Sequence, residues 1–144
     1  MKIWFDMDGT IADLYAVENW LPKLRNSDPT PYTEAKPMLH FSTFARYLNR
    51  LQKKGIEIGI ISWTSKGGSA TYNQAVEEAK KEWLRKHLPS VRFNKIFIVP
   101  YNYPKELFGG ENDILFDDCE AVRNDWHGEA FSPEYIMEIL KALV

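Results

Sequence analysis

Apolar positions along this chain follow two rhythms. Four short runs are apolar almost throughout: Lys2–Phe5, Ile56–Ile61, Lys95–Val99 and Asp113–Phe116. Runs of that length read as strands buried on both faces of a parallel sheet. Between them the apolar residues recur at intervals of three and four. Leu14, Val17, Leu21 and Leu24 predict a helix within Asp13–Arg25, where Pro22 forces a late start, a break or a kink. Ser42 is the expected cap of a helix reaching Lys54, with Phe44, Leu48 and Leu51 on one face and Gly55 ending it. Tyr72–Leu88 turns Val76, Ala79, Trp83, Leu84 and Leu88 inward and stops at Pro89. Pro29, Pro31 and Pro37 make Asn26–Pro37 an irregular loop, and Pro100–Gly110 is a loop with room for one helical turn. Glu120–Trp126 reads as a short helix, and Ser132-Pro133-Glu134 starts a last one carrying Ile136, Ile139, Leu140 and Leu143. Strands alternating with helices predict a three-layer α/β/α sandwich around a parallel sheet.

Polar residues at the strand ends change this from a fold into a candidate site. The first strand runs into Asp6-Met-Asp-Gly-Thr10, the second into Ser62-Trp63-Thr64, and the fourth into Asp117-Asp118. Ligands of open α/β sheets bind at that edge. Side chains two apart on an extended segment point the same way, so Asp6 and Asp8 face one place. Gly9 permits a sharp turn, and Thr10 offers a hydroxyl and an amide to an anion. Neighbouring carboxylates repel and so imply a cation, a shared proton or both. A solvated turn would explain one acidic strand end, since Asp and Gly are ordinary turn residues, but explains two less well. Oxygen ligands alone point to Mg²⁺. Zinc does not suit the scattered His40, His87 and His127, which read as ordinary surface or half-buried residues, or the lone Cys119.

Composition sets the frame. The 144 residues suffice for one domain, 1–144, with a real core, and 44% hydrophobic with 26% charged residues is typical of a globular chain. The net charge of −2 predicts no extended nucleic-acid surface. One cysteine excludes an intramolecular disulfide and fits a reducing compartment. The apolar run before Asp6 is too short for a signal peptide, and no run approaches a membrane span. A cytoplasmic protein without membrane contact is expected.

Asp6-Met-Asp-Gly-Thr10, Ser62 after Ile60-Ile61, a lysine before the last site strand and Ile114-Leu-Phe-Asp-Asp118 together resemble the haloacid dehalogenase-like (HAD) superfamily of phosphohydrolases, whose core is Rossmann-like. Asp8–Asp13 and Phe116–Trp126 are most similar to its 5′(3′)-deoxyribonucleotidase-like branch and short bacterial and phage relatives. The resemblance implies Asp6 as nucleophile through an aspartyl-phosphate and Asp8 as acid and base. It implies Ser62 on the phosphoryl group, with Gly9, Thr10, Trp63 and Thr64 around the substrate. Asp6, the Asp8 carbonyl and Asp118 would hold Mg²⁺, with Asp117 direct or through water. For the phosphoryl lysine, Lys105 is favoured over Lys80 and Lys66, and Lys80 with Lys81 reads as a solvated helix face.

Cap domains in that superfamily follow strand one or lie between later motifs. Ser65–Thr71 is too short for one, whereas Asp13–His40 has room for a small cap-like insertion (13–40) with Tyr15, Trp20 and Tyr32 as rim candidates. Asp13 is expected to cap the following helix, Trp63 either to line the pocket or pack its loop, and Cys119 to be small and buried. The expected partner is a small phosphorylated substrate, with a nucleotide leading, and the protein a monomer or homodimer. The alternatives are a phosphatase of a phosphoprotein or nucleic-acid end, and a non-catalytic Mg²⁺- and phosphate-binding module. A receiver domain is disfavoured because its paired acids come early, and a two-metal nuclease because no basic surface accompanies the acids.

Overall fold

The computed structural model describes residues 1–144. In chain order its elements are β1 (Lys2–Phe5), β2 (Ala12–Asp13), α1 (Trp20–Arg25), α2 (Thr30–Glu34), β3 (Lys36–Pro37), α3 (Phe41–Lys53), β4 (Glu57–Trp63), α4 (Ala70–His87), β5 (Lys95–Val99), β6 (Ile114–Phe116), α5 (Glu120–Asp125), β7 (Glu129–Phe131) and α6 (Ile136–Leu143). Short 3-10 turns at Leu14–Ala16, Lys105–Phe108 and Pro133–Tyr135 complete it. Five strands form one parallel sheet in the order β5-β4-β1-β6-β7, with helices on both sides, a three-layer Rossmann-like α/β architecture. No helix is long and apolar enough to cross a membrane.

The two-residue period of the strands divides the core. Ile3, Phe5, Ile58, Ile60, Ile114 and Phe116 point to the face covered by α3, α4 and α6, where Leu48, Leu51, Trp83 and Leu140 are buried. Trp4, Ile61 and Leu115 point to the opposite face, which Val122 and Trp126 close. Trp4 pairs with Gly59 across the sheet, and a side chain at Gly59 would collide with the indole, so the strand glycine makes room for it. Asp113, buried just before β6, accepts from the Lys2 amide (3.0 Å), the Trp4 indole (3.2 Å) and the Gly110 amide (3.0 Å).

Several local expectations are corrected. The helix expected over Asp13–Arg25 begins at Trp20, with Pro22 in its first turn, where no amide is required. Asp13 precedes the first 3-10 turn without making a side-chain cap bond. The supposed loop 26–37 contains α2 and β3, and β3 pairs antiparallel with β2. The α3 cap position is His40, not Ser42, and makes no side-chain cap bond to the helix backbone. β7 was absent from the apolar pattern because Glu129-Ala130-Phe131 is too short and polar to register.

These corrections matter because they fold segment 13–40 against α4. The Tyr72 hydroxyl donates to Asp28 O (3.0 Å) and the Trp83 indole to Ala35 O (2.7 Å). Leu14 and Tyr32 share an apolar cluster with Tyr72, Val76 and Ala79, with Trp20 and Leu24 packed against it.

Candidate functional site

Asp6 lies one residue past β1, and its amide still continues the sheet by donating to Phe116 O (2.9 Å). The chain then turns through Gly9, at φ 76°, where a side chain would strike Asp118 and Tyr15. Thr10 is fully buried: its amide donates to Met7 O (3.1 Å) and its hydroxyl to Asp6 Oδ2 (3.0 Å). The same hydroxyl accepts the Asp118 amide (3.2 Å), so Thr10 ties the two acidic turns together.

The other acids come from the end of β6. The Asp117 amide donates to Phe131 O (3.1 Å), so β7 fixes where that acid stands. Asp117 is 1% exposed and accepts the Cys119 amide (2.9 Å) and Lys105 Nζ (2.7 Å). Asp118 is exposed and has no basic partner. Carboxylate oxygens of Asp6, Asp117 and Asp118 lie within 4.8 Å of one another. Burial, followed by the charge of Asp6, raises the carboxyl pKa of Asp117. At Asp118, exposed as a residue, the carboxyl group itself is partly shielded from water by the turn, and that desolvation, followed by the charge of Asp6, raises its pKa too.

Two buried lysines enter this cluster from different elements. Lys105, from the 3-10 turn before β6, is 3% exposed and donates to Asp6 Oδ1 (3.0 Å) as well as Asp117. Lys80 is the principal correction to the sequence reading: it is 1% exposed, on the buried face of α4 between Val76 and Leu84. Its ammonium donates to Asp8 Oδ2 (2.8 Å), Ser62 Oγ (2.7 Å) and Trp63 O (2.6 Å), which uses all three of its protons. The available signal was its four-residue spacing from both Val76 and Leu84. Lys81 is half-exposed, paired with Glu77, and Lys66 is exposed, lining the cavity beside Tyr101.

Ser62 is fully buried at the end of β4, with its hydroxyl toward Lys80, and does not line the cavity; Trp63 and Thr64 do. The cavity holds about 740 Å³ above Asp6, Asp8, Lys105, Asp117 and Asp118. Segment 13–40 supplies one wall through Leu14, Tyr15, Trp20 and Tyr32, and Trp63 with Tyr101 stand among the others. Cys119 also lines it and is half-buried, not enclosed as expected. Burial raises the Asp8 pKa, opposed by Lys80 and reinforced by Asp6. An acid kept protonated more readily beside a second, differently paired acid is an arrangement able to donate a proton next to a nucleophile.

The donor set fits a hard cation. Every converging ligand atom is a carboxylate oxygen, and four carboxylates face only two ammonium groups, Lys80 and Lys105.

No family model matches the sequence, and no curated protein does. Among solved structures the chain is similar to one in the "Structure of Pnkp1/Rnl/Hen1 complex", with a TM-score of 0.56 and 19% identity. The match covers 91% of this chain and 44% of that one, so this chain spans less than half of its neighbour. At that identity the likeness establishes the parallel α/β fold.

Proposed function

We propose that this chain is an HAD-type, Mg²⁺-dependent phosphomonoester hydrolase acting through an aspartyl-phosphate on Asp6. The observation that carries the reading is the separate pairing of two acids two residues apart. Asp6 is oriented by Thr10 and Lys105, and Asp8 by Lys80. In the first step an Asp6 carboxylate oxygen attacks phosphorus while the bond to the leaving oxygen breaks, and Asp8 gives that oxygen its proton. In the second, water attacks phosphorus, Asp8 takes its proton, and the Asp6 carboxylate and inorganic phosphate are released. Lys80 keeps the Asp8 carboxylate in place between the two steps. Asp6, Asp118 and the Asp8 carbonyl would hold Mg²⁺, with Asp117 beside them. When bound, the ion neutralises charge that would otherwise repel a phosphate dianion from Asp6.

Aromatic walls at Tyr15, Trp20, Trp63 and Tyr101 suit a flat leaving group, which favours a nucleoside monophosphate. On this reading 13–40 acts as a small cap-like insertion within one domain, and a reducing, cytoplasmic setting fits the single cysteine, Cys119. The test is release of p-nitrophenol from p-nitrophenyl phosphate with and without Mg²⁺, followed by phosphate release from nucleoside monophosphates, sugar phosphates, phosphopeptides and 3′-phosphorylated oligonucleotides. Asp6→Asn is expected to abolish turnover with the fold intact. Near-normal activity in that variant refutes the mechanism.

A further inference from the structure

The carboxylate cluster already contains a cation. Lys105 Nζ lies 3.0 Å from Asp6 Oδ1 and 2.7 Å from Asp117 Oδ2. These acids are two of the three whose oxygens converge within 4.8 Å. The Trp63 ring faces the same ammonium, its centroid 4.8 Å away. The indole is itself held, donating to Tyr103 O (2.9 Å) and packing edge-on against Tyr101 at 5.2 Å. Lys80 differs, because its carboxylate partner, Asp8, lies outside the converging three.

We infer that Lys105 is a tethered counter-ion that competes with the divalent cation for Asp6 and Asp117, and that Trp63 sets how firmly it keeps that place. The inference rests on the cluster being the metal site proposed above. Oxygen lone pairs directed at an ammonium are not free for a metal, and a fixed positive charge repels an incoming one. Even with the screening of bulk water, a unit charge about 5 Å from a divalent ion lowers affinity on the order of tenfold. The π face adds a contact that the ammonium must give up to leave, worth a further severalfold, about 0.5–1 kcal/mol. Lys105 is therefore a positioning residue with a reading other than turnover: it makes divalent binding weaker than the bare carboxylates would allow.

The experiment is calorimetric titration of the full chain, stripped with EDTA and then dialysed free of it, with Mg²⁺ at fixed ionic strength. Lys105→Met is expected to bind Mg²⁺ on the order of tenfold more tightly than the unaltered chain. Lys105→Arg, which keeps the charge, should restore weak binding. Trp63→Leu should tighten binding severalfold while Lys105 remains, and should add nothing in the Lys105→Met background. Unchanged or weaker affinity in Lys105→Met, with Asp118→Ala still weakening it, overturns the inference and leaves the metal site standing. No saturable Mg²⁺ binding in any form overturns the metal site and the inference together. If circular dichroism shows Lys105→Met unfolded, Trp63→Leu decides, and unchanged affinity there is the overturning result.

Discussion

Replacing Lys80 with Met probes the least expected feature of the site. The substitution keeps an unbranched chain in the buried face of α4 but removes an ammonium with three acceptors, Asp8 Oδ2, Ser62 Oγ and Trp63 O, at 2.6–2.8 Å. Stripping one partner from a fully buried ion pair costs about 3–5 kcal/mol, mainly because the other charge is left uncompensated. The Asp8 side chain is 19% exposed and can take a proton, which reduces that cost, while the Met side chain avoids the desolvation that Lys80 bears. The expected net loss is about 2–3 kcal/mol at neutral pH in EDTA. The sign of its pH dependence follows from Asp8. Its folded pKa already stands above the ordinary 3.8, and losing Lys80 raises it further. Between 3.8 and that raised value the folded variant binds more protons than its unfolded chain, so its stability falls as pH rises through that window. Urea unfolding of both proteins from pH 4 to 7.5 should show a deficit that widens toward neutrality. Asp8→Asn in the Lys80→Met background should recover most of it, because neither charge is then buried alone. A deficit under about 0.5 kcal/mol at pH 7, or one independent of pH, would show that Lys80 does not neutralise Asp8 as the geometry requires.

Three other substitutions test neighbouring parts of the site. Asp8→Asn should slow alkyl phosphates far more than p-nitrophenyl phosphate in steady-state assays, since only a poor leaving group needs the proton; equal slowing would argue against Asp8 as the acid. On the proposed function, Asp118→Ala should raise the Mg²⁺ concentration for half-maximal activity at least about tenfold, and excess EDTA should silence the unaltered protein. Gly9→Ala should lower stability by about 1–3 kcal/mol in thermal melts and impair turnover, because φ is 76° there and the new methyl would meet Asp118 and Tyr15; a fully active, equally stable variant would contradict that turn geometry.

Much of the framework was determined locally and so was legible in the sequence. β1, central in the sheet, shows in the sequence because a strand buried on both faces has to be apolar nearly throughout. β5 shows by the same apolar run although it stands at the sheet edge, partly exposed. Asp6, Asp8, Asp117 and Asp118 share one sheet edge because each follows a parallel strand of the same sheet, and parallel strands end on the same side. The tertiary structure decided what those acids bond to. Lys80 carries a charge on an amphipathic helix, a pattern that favours water unless a carboxylate from elsewhere in the fold meets it; Asp8, 72 residues earlier in the chain, does. Thr10 and Ser62 are fully buried, and their hydroxyls bond to charged side chains, Asp6 and Lys80, that no local pattern pairs with them. β2, β3 and β7 escaped the pattern because strands of two or three residues carry too few side chains to show a period. They exist because backbone groups at positions distant in the chain come within hydrogen-bonding reach. A propensity read along the chain registers what each residue does to its neighbours in sequence; the pairings of Lys80 and Lys105 with their acids depend on neighbours that only folding supplies.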